Sequence, residues 1–343
     1  MTPILPRSAA ELDEALSRPP AAVVKAMQRL AGDFIVLGVG GMMGPTLARM
    51  AKRASDQAGV QRRVIGVSRF SSPTLSDELC RQGIETIACD LLDEAALAGL
   101  PDAPNVVFMA GMKFGSTGQE ALTWAMNCYL PGIVSRKYRH SRVVAFSTGN
   151  IYGLTPVSRG GSVESDVPNP IGDYAGSCLG RERIFEHFSR TLQIPMVMIR
   201  LNYAVELRYG VLVDIAQQVW AQKPIDVSMG YFNAIWQAEA NAMVLQAFEH
   251  VATPPLVLNV AGAEMLSVRR VAEQFGCLMG KPVRFKGEEA TDALLSNAQR
   301  AYGLIGTPAV TAEQMMEWIA AWVMKGGATL GKPTHFEVRD GKF

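Results

Sequence analysis

The chain has 343 residues, 48% of them apolar and 19% charged, with a net charge of +1. That is room for one large α/β domain with a smaller lobe, and the composition is ordinary for a soluble globular protein. The near-neutral balance excludes bulk electrostatic attraction to nucleic acid or an anionic membrane.

The opening stretch, MTPILPRSAAELDEALSRPP, carries charges early and lacks a sustained apolar core, so it does not read as a signal peptide. Residues 8–30 read as one or two short helices interrupted at Pro19-Pro20, with Ser8 as N-cap. Apolar runs that read as strands follow at 34–39, 63–67, 84–89, 105–110, 142–147 and 196–201. Helical patterns separate them at 45–57, 74–82, 93–99, 118–138 and 174–191. Strands alternating with helices in this way predict a Rossmann-type doubly wound parallel sheet with helices on both faces. Such strands are buried on both sides, which is why they read as continuous apolar runs. Beyond 203 the alternation weakens, with helices expected at 211–222, 238–250, 267–279 and 311–325 and short strands at 256–260 and 283–286. The expected organisation is an N-terminal helical extension over 1–32, a dinucleotide-binding domain over 33–203 and a mainly substrate-binding lobe over 204–343. Some segments of that lobe are expected to return to the sheet. The tail, GKPTHFEVRDGKF, is polar without a regular period.

Gly38, Gly41 and Gly44 are spaced G-x-x-G-x-x-G between the first strand and the helical run PTLARMAKRA. Glycines there permit a tight strand-to-helix turn, close approach of the backbone to a pyrophosphate, and close helix–strand packing. The helix N-terminus then offers free N–H groups to the phosphates. Gly38, Gly41, Met42, Met43 and Gly44 are therefore the expected pyrophosphate cradle. The second strand runs into Ser68-Arg69, with no acid until Asp77. A hydroxyl followed by a guanidinium suits a ribose 2′-phosphate, so NADP is expected, with NAD as the alternative. Five scattered cysteines with no CxxC pair or His/Cys cluster predict free thiols in a reducing cytoplasm and no metal site.

The motifs that follow resemble those of the extended short-chain dehydrogenase/reductase family, which includes sugar-nucleotide epimerases and dehydratases. Cys89-Asp90-Leu91 is similar to the segment after that family's third strand, whose Asp sits by the adenine. Phe108-Met109-Ala110-Gly111-Met112-Lys113 is similar to its fourth-strand end, where the lysine touches the cofactor, and Asn127 falls where the family often has Asn. Phe146-Ser147-Thr148-Gly149-Asn150-Ile151-Tyr152-Gly153 resembles the "SSxxVYG" stretch, which puts Thr148 in the place of the catalytic hydroxyl residue. Tyr174 follows at the interval of the catalytic tyrosine, and Ile199-Arg200-Leu201-Asn202-Tyr203 resembles the sixth-strand "R-x-x-N" signature, one residue shorter. The resemblance covers most of residues 33–280. It implies an NAD(P)-dependent oxidoreductase or epimerase/dehydratase acting on a hydroxyl or carbonyl of a small molecule, such as a sugar derivative. Catalytic roles pass to Tyr174, Thr148 and Lys113, and cofactor contacts also to Asp90, Leu91, Ala110, Gly111, Asn127 and Tyr174. Asn202 and Arg208 are the implied substrate contacts. The family's dimer helices correspond to 118–138 and 174–191, so a homodimer is expected.

One departure is decisive for the chemistry. The family's Y-x-x-x-K reads Tyr174-Ala175-Gly176-Ser177-Cys178 here, with the downstream acid, Glu182, in place. A free tyrosine has a pKa of ~10, and a nearby lysine cation favours tyrosinate by roughly 1–3 units. Three outcomes are open: a cation supplied by Lys113 or Arg181, activation by the oxidised nicotinamide alone, or a weak site serving as a cofactor sensor. Lys113 is the better candidate, because Arg181 lies two helical turns from Tyr174, about 10 Å along the axis.

Overall fold

The computed structural model describes residues 5–341 apart from 72, 114 and 116, so the ends of the extension and of the tail lie outside the described residues. Seven strands form one parallel sheet: β1 (Phe34–Leu37), β2 (Val64–Ser68), β3 (Glu85–Ala88), β4 (Asn105–Phe108), β5 (Arg142–Thr148), β6 (Met196–Leu201) and β7 (Leu256–Val260). Their spatial order is β7-β6-β5-β4-β1-β2-β3. The order reverses between β1 and β4, and the crevice at their carboxyl ends is where such sheets bind ligands. β7 is the expected strand 256–260, and it joins the sheet beside β6 rather than standing in the C-terminal lobe.

One face of the sheet is covered by α2 (Ala21–Arg29), α3 (Gly44–Gln57) and the helix Gln237–Gln246, with Phe34, Val36, Leu47 and Leu258 in their shared core. The other face carries the 120–137 helix and the long helix Gly172–Leu192, over Leu37, Phe108, Val134 and Phe185. The 120–137 helix is not regular throughout. A π turn over Ala125–Tyr129 interrupts it and holds Asn127 at its centre. Such insertions re-aim side chains and recur at functional sites.

The first helix, α1 (Ala9–Leu16), is capped by Ser8 as its sequence predicts, and buries Leu12 and Leu16 in the core that the C-terminal helices Val211–Trp220, Val268–Met279 and Ala312–Met324 share. Asp13 of α1 pairs with Arg49 on one side and Arg208 on the other. The extension thereby ties the C-terminal lobe to the sheet. The tail is likewise held in place: Thr334 donates to Asp214, Phe336 packs on Phe232, and Arg339 pairs with Asp292. No helix of the described residues is long and apolar enough to cross a membrane.

Candidate active site

The glycine turn closes onto β4. Gly38 has φ +92°, and a Cβ there would stand 2.6 Å from the Ala110 backbone nitrogen. At Gly44, the first residue of α3, a Cβ would stand 2.3 Å from the Val39 carbonyl oxygen. A Cβ on Gly41 would meet only the Gly38 carbonyl, at 3.5 Å. Two of the three glycines therefore fold the turn, and the third leaves its outer surface open. Met43 caps α3 with no side-chain hydrogen bond, so the helix N–H groups receive no acceptor from it. These features fit a dinucleotide pyrophosphate. Ser68 ends β2 behind the turn, Arg69 beside it is exposed, and Asp90 lies two residues beyond β3 with its carboxylate accepting from the Leu92 N–H at 3.0 Å. Leu91 is buried beneath it.

Asn127 fixes the loop after β4. Its side chain accepts from the Met112 N–H and donates to the Met112 carbonyl, both at 3.1 Å, and donates to Ser177 Oγ at 2.9 Å. Ser177 Oγ donates in turn to the Tyr174 carbonyl at 3.0 Å. The loop Ala110–Lys113 and the start of the 172–192 helix are thus joined through one buried amide. Lys113 brings its Nζ to 5.7 Å from the centre of the Tyr174 ring. Burial pushes the Lys113 amine down to about 8, against the smaller opposing pull of Cys178 and Asp214.

Tyr174 is half-buried, and its hydroxyl interacts with Thr148 and with the Cys178 thiol. Burial drives the phenol well above its ordinary value, Cys178 adds to the rise, and the Arg181 charge opposes it. Thr148 ends β5 and caps the turn Gly149–Tyr152, accepting from the Asn150 N–H at 3.2 Å. Cys178 is fully buried beside Ile151 and Tyr152. Below it, Glu182 accepts from Ser147 at 2.6 Å and from Arg200 at 2.8 and 3.0 Å, locking β5, β6 and the long helix together.

Tyr174, Thr148, Lys113, Asn127 and the glycine turn therefore gather at the carboxyl ends of β1, β4 and β5. Asn202 is buried after β6, with its amide near the Leu294 carbonyl. Arg208 lies elsewhere, its guanidinium held by Glu206 and Asp13. Trp236 packs on Trp318 and Gln237 on Thr46, so both are packing residues. A groove of about 580 Å³ lined by Tyr231, Leu266, Arg270 and Met316 shares no residue with this site. Arg181 makes contacts that its spacing along the helix axis did not announce: its side chain reaches Asn127 and the Phe146 carbonyl. The signal was its place three residues after Cys178 and four before Phe185, on the buried stripe of the helix.

The model of the NAD dependent epimerase/dehydratase family matches residues 34–205, the stretch that builds the sheet from β1 to β6 and the site above it. The chain belongs to that family. The same fold recurs in solved structures similar to this chain. UDP-glucuronic acid 4-epimerase from Bacillus cereus, in complex with UDP-glucuronic acid and NAD, is 16% identical with a TM-score of 0.70, over 85% of this chain and 99% of that one. UDP-glucose 4-epimerase from Thermotoga maritima, with UDP-glucose, is 16% identical with a TM-score of 0.69, over 86% and 99%. dTDP-glucose 4,6-dehydratase from Bacillus anthracis, in complex with NAD, is 16% identical with a TM-score of 0.70, over 86% and 97%. No curated protein matches the sequence. As a member of the epimerase/dehydratase family the chain is an enzyme of the extended short-chain dehydrogenase type, with a doubly wound α/β fold.

Proposed function

We propose that this epimerase/dehydratase family member oxidises a hydroxyl-bearing carbon, or reduces a carbonyl carbon, of a sugar derivative, with NADP as its nucleotide and Tyr174 as the acid–base group. The observation that carries this reading is the meeting of the Tyr174 and Thr148 hydroxyls at the switch point of the sheet, beside a glycine turn open at Gly41. Gly38, Gly41, Met42, Met43 and Gly44 hold the pyrophosphate, Asp90 and Leu91 flank the adenine, and Ala110, Gly111, Asn127 and Lys113 support the nicotinamide half. Ser68 and the exposed Arg69 favour the 2′-phosphate of NADP over NAD. When bound, the nucleotide supplies the hydride acceptor or donor.

Thr148 Oγ1 orients the substrate oxygen, and Tyr174 Oη takes its proton as the carbonyl forms and returns it on reduction. In the free protein burial keeps that proton on the phenol. Positive charge arriving beside the ring lowers the phenol's pKa towards neutrality, the direction that proton transfer near pH 7 requires. Lys113 stands beside the same ring with an amine poised near neutrality. Sugar nucleotides are the substrates of the solved relatives, which supports a sugar derivative here. Asn202, after β6, stands on the substrate side.

The test follows nicotinamide absorbance and product formation with a sugar-nucleotide panel. Tyr174→Phe is expected to lose turnover by about 10²-fold or more while nucleotide affinity stays within about threefold. Unchanged turnover contradicts the assignment.

Pairing of two copies through the 120–137 and 172–192 helices is supported by the exposed Trp124 (43%) and Tyr129 (51%) on that face. Light scattering on Tyr129→Glu, expected to yield monomers, tests the homodimer. Five free cysteines accord with a cytoplasmic location.

A further inference from the structure

The buried stripe of the 172–192 helix runs through Cys178, Arg181 and Phe185. Cys178 and Phe185 are fully enclosed, as a thiol and an aromatic ring tolerate. Between them Arg181 is only 6% exposed. Its Nη1 donates to the Phe146 carbonyl at 2.9 Å, its Nη2 donates to Asn127 Oδ1, and its Nε is buried with no hydrogen-bond partner. Among the described residues no carboxylate pairs with it. The adjacent acid, Glu182, is engaged by Arg200 and Ser147. Apart from the Phe108 ring, whose centre lies 5.6 Å away, the guanidinium is answered only by neutral oxygens, and a buried charge so answered is costly to keep.

Its surroundings supply a reason. A Cβ on Gly111 would stand 2.2 Å from Arg181 Nη2, so the guanidinium presses directly on the backbone of the loop after β4. Through Asn127 it also holds both polar groups of Met112. The same charge acts on the Cys178 thiol and the Tyr174 hydroxyl, favouring the ionised form of each. It therefore lies between the loop assigned to the nicotinamide half of the nucleotide and the acid–base tyrosine.

We infer that Arg181 is the fixed cation of this site, replacing from three residues further along the helix the lysine that Cys178 displaces. It acts as a positioning residue, through Asn127 on the 111–113 backbone and through space on Tyr174. Lys113 does not duplicate it: its amine, brought down to about 8 by burial, loses its charge as the pH rises, and no hydrogen bond ties it to Asn127 in the way that Arg181 is tied. The inference rests on the nucleotide site proposed above.

The experiment compares wild type, Arg181→Met, Cys178→Lys and the double variant Cys178→Lys/Arg181→Met. Binding of NADP and of NAD is measured by calorimetry and melting by fluorescence, with no need of a substrate. Arg181→Met is expected to weaken binding at least tenfold. Cys178→Lys alone should melt lower than wild type, because two cations are then enclosed one turn apart. The double variant should regain binding to within threefold of wild type, because the charge has moved back to position 178. Wild-type affinity in Arg181→Met overturns the inference. So does a double variant that binds no better than Arg181→Met, and if Arg181→Met does not fold, a double variant that also fails to fold or bind overturns it. A wild type that binds no dinucleotide fails at an earlier step: it removes the nucleotide site itself, and the inference with it.

Discussion

Asn241 Nδ2 lies 3.0 Å from Thr46 Oγ1, so a helix from the C-terminal half of the chain is bonded to the first turn of the helix behind the glycine turn. Gln237 Nε2 donates to the same hydroxyl at 3.1 Å, and that hydroxyl donates to the Met43 carbonyl at 3.1 Å. All three side chains are buried. Thr46→Val leaves two enclosed amides without their acceptor, at an expected cost of about 2–4 kcal/mol. Thr46→Ser should recover most of it. Urea unfolding of both variants measures the difference, and a Val variant as stable as wild type contradicts the role given to this hydroxyl.

The glycine turn separates folding from binding. Gly44→Ala drives a Cβ into the Val39 carbonyl and is expected to destabilise the free protein by roughly 3 kcal/mol or more. A Cβ on Gly41 stays in ordinary contact at 3.5 Å, so Gly41→Ala should unfold within about 0.5 kcal/mol of wild type. It should nevertheless lose at least tenfold in dinucleotide affinity, because the methyl group occupies the surface assigned to the pyrophosphate. Calorimetry and thermal melting on the pair decide this. Full affinity in Gly41→Ala moves the pyrophosphate elsewhere.

Arg69 carries the choice between the two nucleotides. A charge-assisted hydrogen bond to a 2′-phosphate contributes about 1.5–3 kcal/mol, which NAD cannot collect. Arg69→Ala is expected to weaken NADP about tenfold or more and leave NAD within about twofold. Equal losses for both nucleotides, or none, contradict the reading of Ser68-Arg69.

Lys113 makes stability depend on pH in a defined direction. Its amine is at about 8 in the folded protein and ~10.4 in the unfolded chain. Between those values the unfolded state binds more protons, so stability rises with pH across that window. Below about 8 the folded protein carries the full cost of an enclosed ammonium. Lys113→Met should therefore melt above wild type at pH 7, by an increment on the order of 1–3 kcal/mol, and the gap should close towards pH 10.5. A gap that is the same at both pH values contradicts the burial of this amine. The same variant should bind dinucleotide more weakly.

Much of this fold is legible in the sequence because the strands are buried on both faces. Residues 196–201 and 256–260 read as strands and are strands over those bounds. β1 stops at Leu37, two residues short of its apolar run, because Gly38 turns the chain at positive φ. The helix Gln299–Ile305 escaped because it is short and carries Gly303, which breaks any apolar period. The π turn around Asn127 escaped because one wider turn leaves the hydrophobic pattern of the helix intact.

The site was legible wherever one residue type at one spacing has one use. The glycine turn, Thr148, Tyr174 and the absent lysine are of this kind. The reach of Arg181 to Asn127 and the Phe146 carbonyl was not legible, because distance along the helix axis ignores a long side chain folding back towards the sheet. The tail reads as polar and irregular, yet Thr334, Phe336 and Arg339 are each anchored to partners more than 40 residues away in sequence, at Asp214, Phe232 and Asp292. No local pattern encodes such contacts.

The central claim is that a nicotinamide dinucleotide lies over Gly41, within reach of Tyr174. Its most direct test is the melting temperature of wild type and Gly41→Ala with NADP, NADPH, NAD or NADH added. At 100 times its dissociation constant a bound dinucleotide should stabilise wild type by about 2.7 kcal/mol. The account predicts that shift in wild type and its collapse in Gly41→Ala, whose own melting point is unchanged. Wild type that shows no shift with any of the four, after release of any nucleotide that co-purifies, contradicts it.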